Sequence, residues 1–174
     1  NSTSTATITS AAASAGTGLY GLHLASADAI SVLNIDLASG QSVGLAALAG
    51  TTGNFTVINI SGRGTVTIGS GITCGTLNVR GSGTVYLKAS IAAVNVIEGT
   101  PKLYLQDAVA ISTALIVQGG TVYEQSSGIK AQVTIFGSAS VICGPGSRTW
   151  TATTVYGLGS LDDTVKSVTF TAAI

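Results

Sequence analysis

The stretch INISGRGTVTIGSGI, residues 58–72, and the stretch LNVRGSGTVYLKASI, residues 77–91, are two copies of one pattern. In the first, Ile58-x-Ile60 leads through Gly62 and Gly64 to Val66-x-Ile68 and then to Ile72. In the second, Leu77-x-Val79 leads through Gly81 and Gly83 to Val85-x-Leu87 and then to Ile91. Apolar residues at every second position mark strands with one buried face, and the Gly-x-Gly pairs mark corners between them. A unit this short cannot bury its own apolar face, whereas stacked copies form one continuous core.

Working outward, the pattern recurs in looser form. Val94-x-Val96 leads to Leu103-x-Leu105 and Ile111, Leu115-x-Val117 leads to Val122 and Ile129, and Val133-x-Ile135 leads to Val141-x-Cys143 and Trp150. Coil starts at residues 58, 77, 94, 115 and 133 give spacings of 19, 17, 21 and 18 residues. Such variation excludes a strict six-residue side. It predicts an all-β fold, a single-chain parallel β-helix solenoid, right-handed and three-sided, with irregular end caps. The solenoid is expected over residues 30–174, preceded in 1–29 by an N-terminal arm and a first strand beginning at Tyr20. The Ala-rich Leu45 to Ala49 is read as a helical turn capping the open end, and the apolar C-terminus as a cap or a contact with a neighbouring subunit.

Composition narrows the function. Only 8% of the 174 residues are charged, seven basic against seven acidic, where an average globular chain carries about 25%. No electrostatic footprint for nucleic acid or an anionic membrane surface exists. The longest apolar runs fall far short of the roughly 20 residues of a membrane-spanning helix.

Chemistry-bearing residues are sparse. Cys74 and Cys143 each follow an inward apolar residue by two places, so both thiols are expected in the core. They lie three to four coils apart, about 14 to 19 Å at the spacing of stacked strands, which is too far for a disulfide. His23 has no Cys, Asp or Glu at metal-ligand spacing, so no metal or cofactor is expected. Gly62-x-Gly64 and Gly81-x-Gly83 precede no helix and no Lys-Ser/Thr pair, which makes them corners and not phosphate loops. Polysaccharide-cleaving enzymes place two carboxylates about 5 to 10 Å apart; here Glu98, Glu124 and Asp107 are the candidates for a lyase or glycoside hydrolase, the minor alternative to a non-enzymatic protein. Asn1, Asn54 and Asn59 match the glycosylation acceptor pattern.

Tyr86, Tyr104 and Tyr123 are the more suggestive set. Each takes the outward place in the second strand of its coil, so successive coils stack them into an exposed aromatic ladder. Such a ladder serves a glycan, a subunit interface or the sheet itself.

A charge-poor, Thr/Ser/Gly-faced coil pattern of this kind resembles the parallel β-helix proteins on the virions of tailed phages, meaning head decoration proteins, head fibres and tailspike shafts. The resemblance spans residues 30–174 and implies a non-enzymatic structural protein on the virion surface, a capsid decoration (cement) or head-fibre protein. It further implies a homotrimer, with the major capsid protein or another virion protein as partner. The alternatives are a tail or adhesin module that binds surface polysaccharide at an extracellular or cell surface, and a filament-forming protein that resembles the bactofilins.

Overall fold

The computed structural model describes residues 4–9, 21–24, 30–47 and 52–171. Among them the regular elements are all strands: β1 (Thr5–Ile8), β2 (Gly21–Leu24), β3 (Ile30–Leu37), β4 (Ser42–Ala47), β5 (Gly53–Gly62), β6 (Thr65–Ile68), β7 (Ile72–Gly81) and β8 (Thr84–Leu87). There follow β9 (Ile91–Gly99), β10 (Lys102–Leu105), β11 (Ile111–Val117), β12 (Thr121–Glu124), β13 (Lys130–Ile135), β14 (Ser140–Cys143), β15 (Arg148–Val155), β16 (Ser160–Asp162) and β17 (Val168–Phe170). Odd-numbered strands stack in order into one sheet and even-numbered strands into another. Every pairing is parallel. The chain is a parallel β-solenoid.

Two ladders carry three apolar sides. In β5 the buried residues are Phe55, then Ile58 and Ile60, with Thr56 and Val57 both turned outward between them. In β7 the same break falls at Gly75-Thr76, between Cys74 and Leu77. Two successive outward residues reset the phase of an alternation whose period is two. Each long strand therefore bends once and lines two sides of the coil, while the short strands line the other.

The register carries the coil starts read from the sequence. Ile58 opposes Leu77, Leu77 opposes Val94, Val94 opposes Leu115 and Leu115 opposes Val133. The uneven spacing is absorbed mostly at the corners, which differ in length from coil to coil, and one residue at a time at irregularities of the long sheet. Ile97 is an extra residue between Val96 and Glu98, and β11 has one more residue than β9 and β13 between its two buried runs. These columns of Ile, Leu and Val make one continuous core. Near the C-terminal end Trp150 is fully buried and meets Phe170 edge to face, with ring centroids 6.1 Å apart.

Several expectations are corrected. The segment read as a helical cap is strand through Ala47, because Val43 and Leu45 continue the inward columns of β6; residues 48–50 lie outside the described set. β2 is the strand expected near Tyr20 and pairs with β4, but β1 pairs with β3, so the solenoid reaches into the segment assigned to the arm. Ile129 is exposed, and Lys130 takes the buried place beside it. Leu158 is 86% exposed at a turn. Both cysteines are free and buried, as read from the sequence.

The corners test the stacking. Gly81 has a φ of +81°, and a Cβ there would sit 2.5 Å from the Gly62 carbonyl oxygen of the preceding coil. Gly40 has the same φ with open space around it. Gly40→Ala is expected to cost about 1 kcal/mol, the left-handed backbone alone. Gly81→Ala should cost at least about 3 kcal/mol, since an overpacked backbone contact adds to the strain. Urea midpoints of the two variants measure the difference.

Candidate functional site

The tyrosine ladder forms as read. Val85 and Leu87, Leu103 and Leu105, and Val122 point inward, which forces Tyr86, Tyr104 and Tyr123 outward on β8, β10 and β12. The strand register places the three directly opposite one another. Their rings stack with centroids 5.0 Å and 4.5 Å apart and interplanar angles of 22° and 8°. Partial burial raises the Tyr104 hydroxyl above the usual phenol value, and the neighbouring Tyr123 and Tyr86 add to the rise.

This geometry limits what the ladder can hold. A sugar ring packs on the face of an aromatic ring, but both faces of Tyr104 are covered by its neighbours. Only the outer faces of Tyr86 and Tyr123 remain, above Thr67 and Ile142 in the same column. What the ladder presents is a row of ring edges and hydroxyls, suited to a flat partner that accepts and donates hydrogen bonds. The arrangement leaves little ring face for a sugar to stack on.

A second row lies on the long sheet. Asn34, Asn59, Asn78 and Asn95 each sit outward between two buried apolar residues, and the side-chain amides of Asn59, Asn78 and Asn95 each donate to the side-chain carbonyl of the Asn one coil before. The three bonds measure 2.8, 2.8 and 2.9 Å. Beside them a depression of about 340 Å³ is lined by Asp36, Ser61 and Arg80 as well as by the first three asparagines. Sequence reasoning passed over this row. Its signal was available as the recurrence of Asn at the centre of Leu33-x-Ile35, Ile58-x-Ile60, Leu77-x-Val79 and Val94-x-Val96. Because the Asn59 amide nitrogen is bonded to Asn34, a glycan there would break the row.

The candidate acids do not assemble. Glu98 and Asp107 are exposed, Asp107 at a turn with φ +56°. Glu124 points into the core and is fully buried, so it cannot reach a polysaccharide. Its carboxylate lies 3.1 Å from the equally buried Lys130 ammonium. The other carboxylate oxygen accepts from the Ser126 amide at 2.8 Å and the Ser126 hydroxyl at 2.6 Å. Lys130 also donates to Ser126 Oγ at 2.8 Å and to the carbonyls of Val109 and Gly128 at 2.8 and 2.9 Å. Burial pushes its pKa down, against the pull of Glu124. One coil on, the buried Arg148 guanidinium donates to the carbonyls of Glu124, Gly144, Pro145 and Gly146.

Burial likewise raises the Cys74 thiol to about 11 and the Cys143 thiol to about 12, so neither is a thiolate near neutral pH. No group of three or more His, Cys, Asp or Glu side chains is arranged to hold a metal among the described residues. His23 lies in β2, and its side chain falls outside the described set. No helix of the described residues is long and apolar enough to cross a membrane.

Comparison with protein-family models, with curated proteins and with solved structures returns no match to this chain.

Two predictions follow the two kinds of polar feature. Lys130→Met alone is expected to cost about 3–5 kcal/mol by leaving Glu124 charged and unpaired, while Glu124→Leu with Lys130→Met recovers most of that loss; chemical denaturation of the three chains reads this directly. Tyr104→Ala, which removes two stacks, should destabilise by about 1–3 kcal/mol, and Tyr86→Ala by about half as much. The folded pKa of Tyr104 is raised, so its contribution is present below the usual phenol value and lost as pH rises through the folded one. Tyrosinate absorbance should therefore show Tyr104→Ala losing a titration that lies above the usual phenol value.

Proposed function

We propose that this chain is a non-enzymatic structural protein of a virus particle, a capsid decoration (cement) or head-fibre protein of a tailed phage that coats or stiffens the shell. The observation that carries the reading is the combination of an in-register parallel solenoid with long outward faces of Thr, Ser, Asn and Tyr and little charge. A parallel ladder satisfies backbone groups along the coil axis, which gives a stiff, protease-resistant rod. Faces without like-charge repulsion allow copies and lattice subunits to pack closely. The tyrosine row is the seam we assign to such packing, between copies in a homotrimer or against the major capsid protein.

A second reading has its own observation. The amide row and the depression between Asp36 and Arg80 offer planar hydrogen-bonding groups of the kind that bind sugar hydroxyls, and so support a module that grips surface polysaccharide. Purified particles separate the two readings. The structural reading expects the protein on the particle in fixed stoichiometry with the capsid lattice, and a glycan array that stays blank for the wild-type chain. Recovery of the protein solely from host cells, apart from any particle, would overturn it.

A further inference from the structure

The short sheet brings three phenol rings into contact on one open face. Tyr86, Tyr104 and Tyr123 stand opposite one another on β8, β10 and β12, where the ladder fixes their spacing. Tyr104 and Tyr123 are the closer pair, with centroids 4.5 Å apart and planes within 8°. Tyr86 and Tyr104 lie at 5.0 Å and 22°. All three side chains are half-buried, with covered faces and open edges. The edge of a phenol carries the hydroxyl and the two ring carbons ortho to it, and phenoxyl radicals join at those carbons.

Tyr156 supplies a contrast within the same chain. It stacks on Phe136 with centroids 4.9 Å apart and planes within 12°. The geometry is nearly that of the row, but a phenylalanine ring has no hydroxyl hydrogen to lose and does not couple.

Competing sinks for an oxidant are few. Thioethers and thiolates are ordinarily oxidised first, yet the chain has no methionine and both cysteines are buried. Trp150 is fully buried as well. Oxidising equivalents that reach the described surface therefore fall first on the tyrosines.

We infer that the tyrosine row is a site of oxidative cross-linking, at which a one-electron oxidant, a peroxidase supplied with hydrogen peroxide, joins Tyr104 to Tyr123 within one chain. Each ring gives one electron to the oxidant and its hydroxyl proton to water. The two phenoxyl radicals pair their electrons in a carbon–carbon bond between ortho positions. Each bonded carbon then passes its hydrogen to the oxygen of its own ring, which restores both phenols. The two electrons and two protons removed convert one hydrogen peroxide to two waters. The new bond ties β10 to β12 and restricts the unfolded chain as a disulfide does. Tyr86 is the second partner open to Tyr104, at the longer of the two spacings. The site rests on ring geometry, independently of where the protein resides.

The test uses the full chain carrying Tyr20→Phe and Tyr156→Phe, so that the row holds its only tyrosines. Peroxidase and hydrogen peroxide are added at low protein concentration, and dityrosine fluorescence is read from the monomer band of a denaturing gel. The expected result is fluorescence in that band with two hydrogen atoms lost from the intact mass. Cleavage at Asp107, in addition to lysine and arginine, should leave the Tyr104 and Tyr123 peptides joined. Tyr104→Phe keeps a ring in the stack and is expected to abolish the signal, because Tyr86 and Tyr123 then stand two strand steps apart, roughly 10 Å. Tyr86→Phe should leave the signal in place. A row that yields no dityrosine, dityrosine confined to cross-chain dimers, a signal that survives Tyr104→Phe, or one lost with Tyr86→Phe overturns the inference.

Discussion

The parallel in-register ladder is the constraint on which everything else in this molecule depends. A coil of about twenty residues has no core of its own, and each strand finds its hydrogen-bond partners only in the coils before and after. Register then dictates chemistry, because a residue's column neighbours are fixed at the spacing of one strand. Ile58, Leu77, Val94, Leu115 and Val133 form one inward column. Outward columns obey the same rule, which is why a Tyr stacks on a Tyr and an Asn bonds to an Asn. The rows that look most like sites are also the cross-strand pairs that hold the sheets together.

The buried ion pair is the exception inside the core, and its location explains why it is tolerated. Glu124 and Lys130 flank the corner between β12 and β13, where the chain turns and the carbonyls of Val109 and Gly128 are available. Arg148 does the same for the next corner by collecting the carbonyls of Gly144, Pro145 and Gly146. A mid-strand position has no such acceptors to spare, since its carbonyls are committed to the ladder. Burying these charges adds little net stability; they satisfy corner groups that a fully apolar core would leave unpaired.

This distinction also marks what was legible in the sequence. Coil starts, strand alternation and the tyrosine row were readable because stacking imposes period two within a strand and a near-constant period between coils. Lys130 and Glu124 were not, because a charged residue in an alternating pattern reads as outward by default. Only the corner carbonyls turn them in. Ile129 misled for the same reason in reverse. The Ala-rich Leu45 to Ala49 favoured a helix by propensity, but through Ala47 pairing with β2 and β6 overrides it. The asparagine row was visible only once the columns were aligned, since its four members are spread over 62 residues of chain.

Stacking has one further consequence. A solenoid satisfies its interior coils completely and its terminal coils by half, so its unmet bonding capacity is concentrated at two edges of opposite polarity. Most folds of this kind blunt those edges with charge, proline or a covering segment. Here the described Thr5–Ile8 and the end of β15 are uncharged and aligned on the same columns. The side faces present rows of hydroxyl and amide groups along the same axis. The rows and the coil ends are therefore separate surfaces, because the ladder bonds run along the axis and the outward side chains face across it.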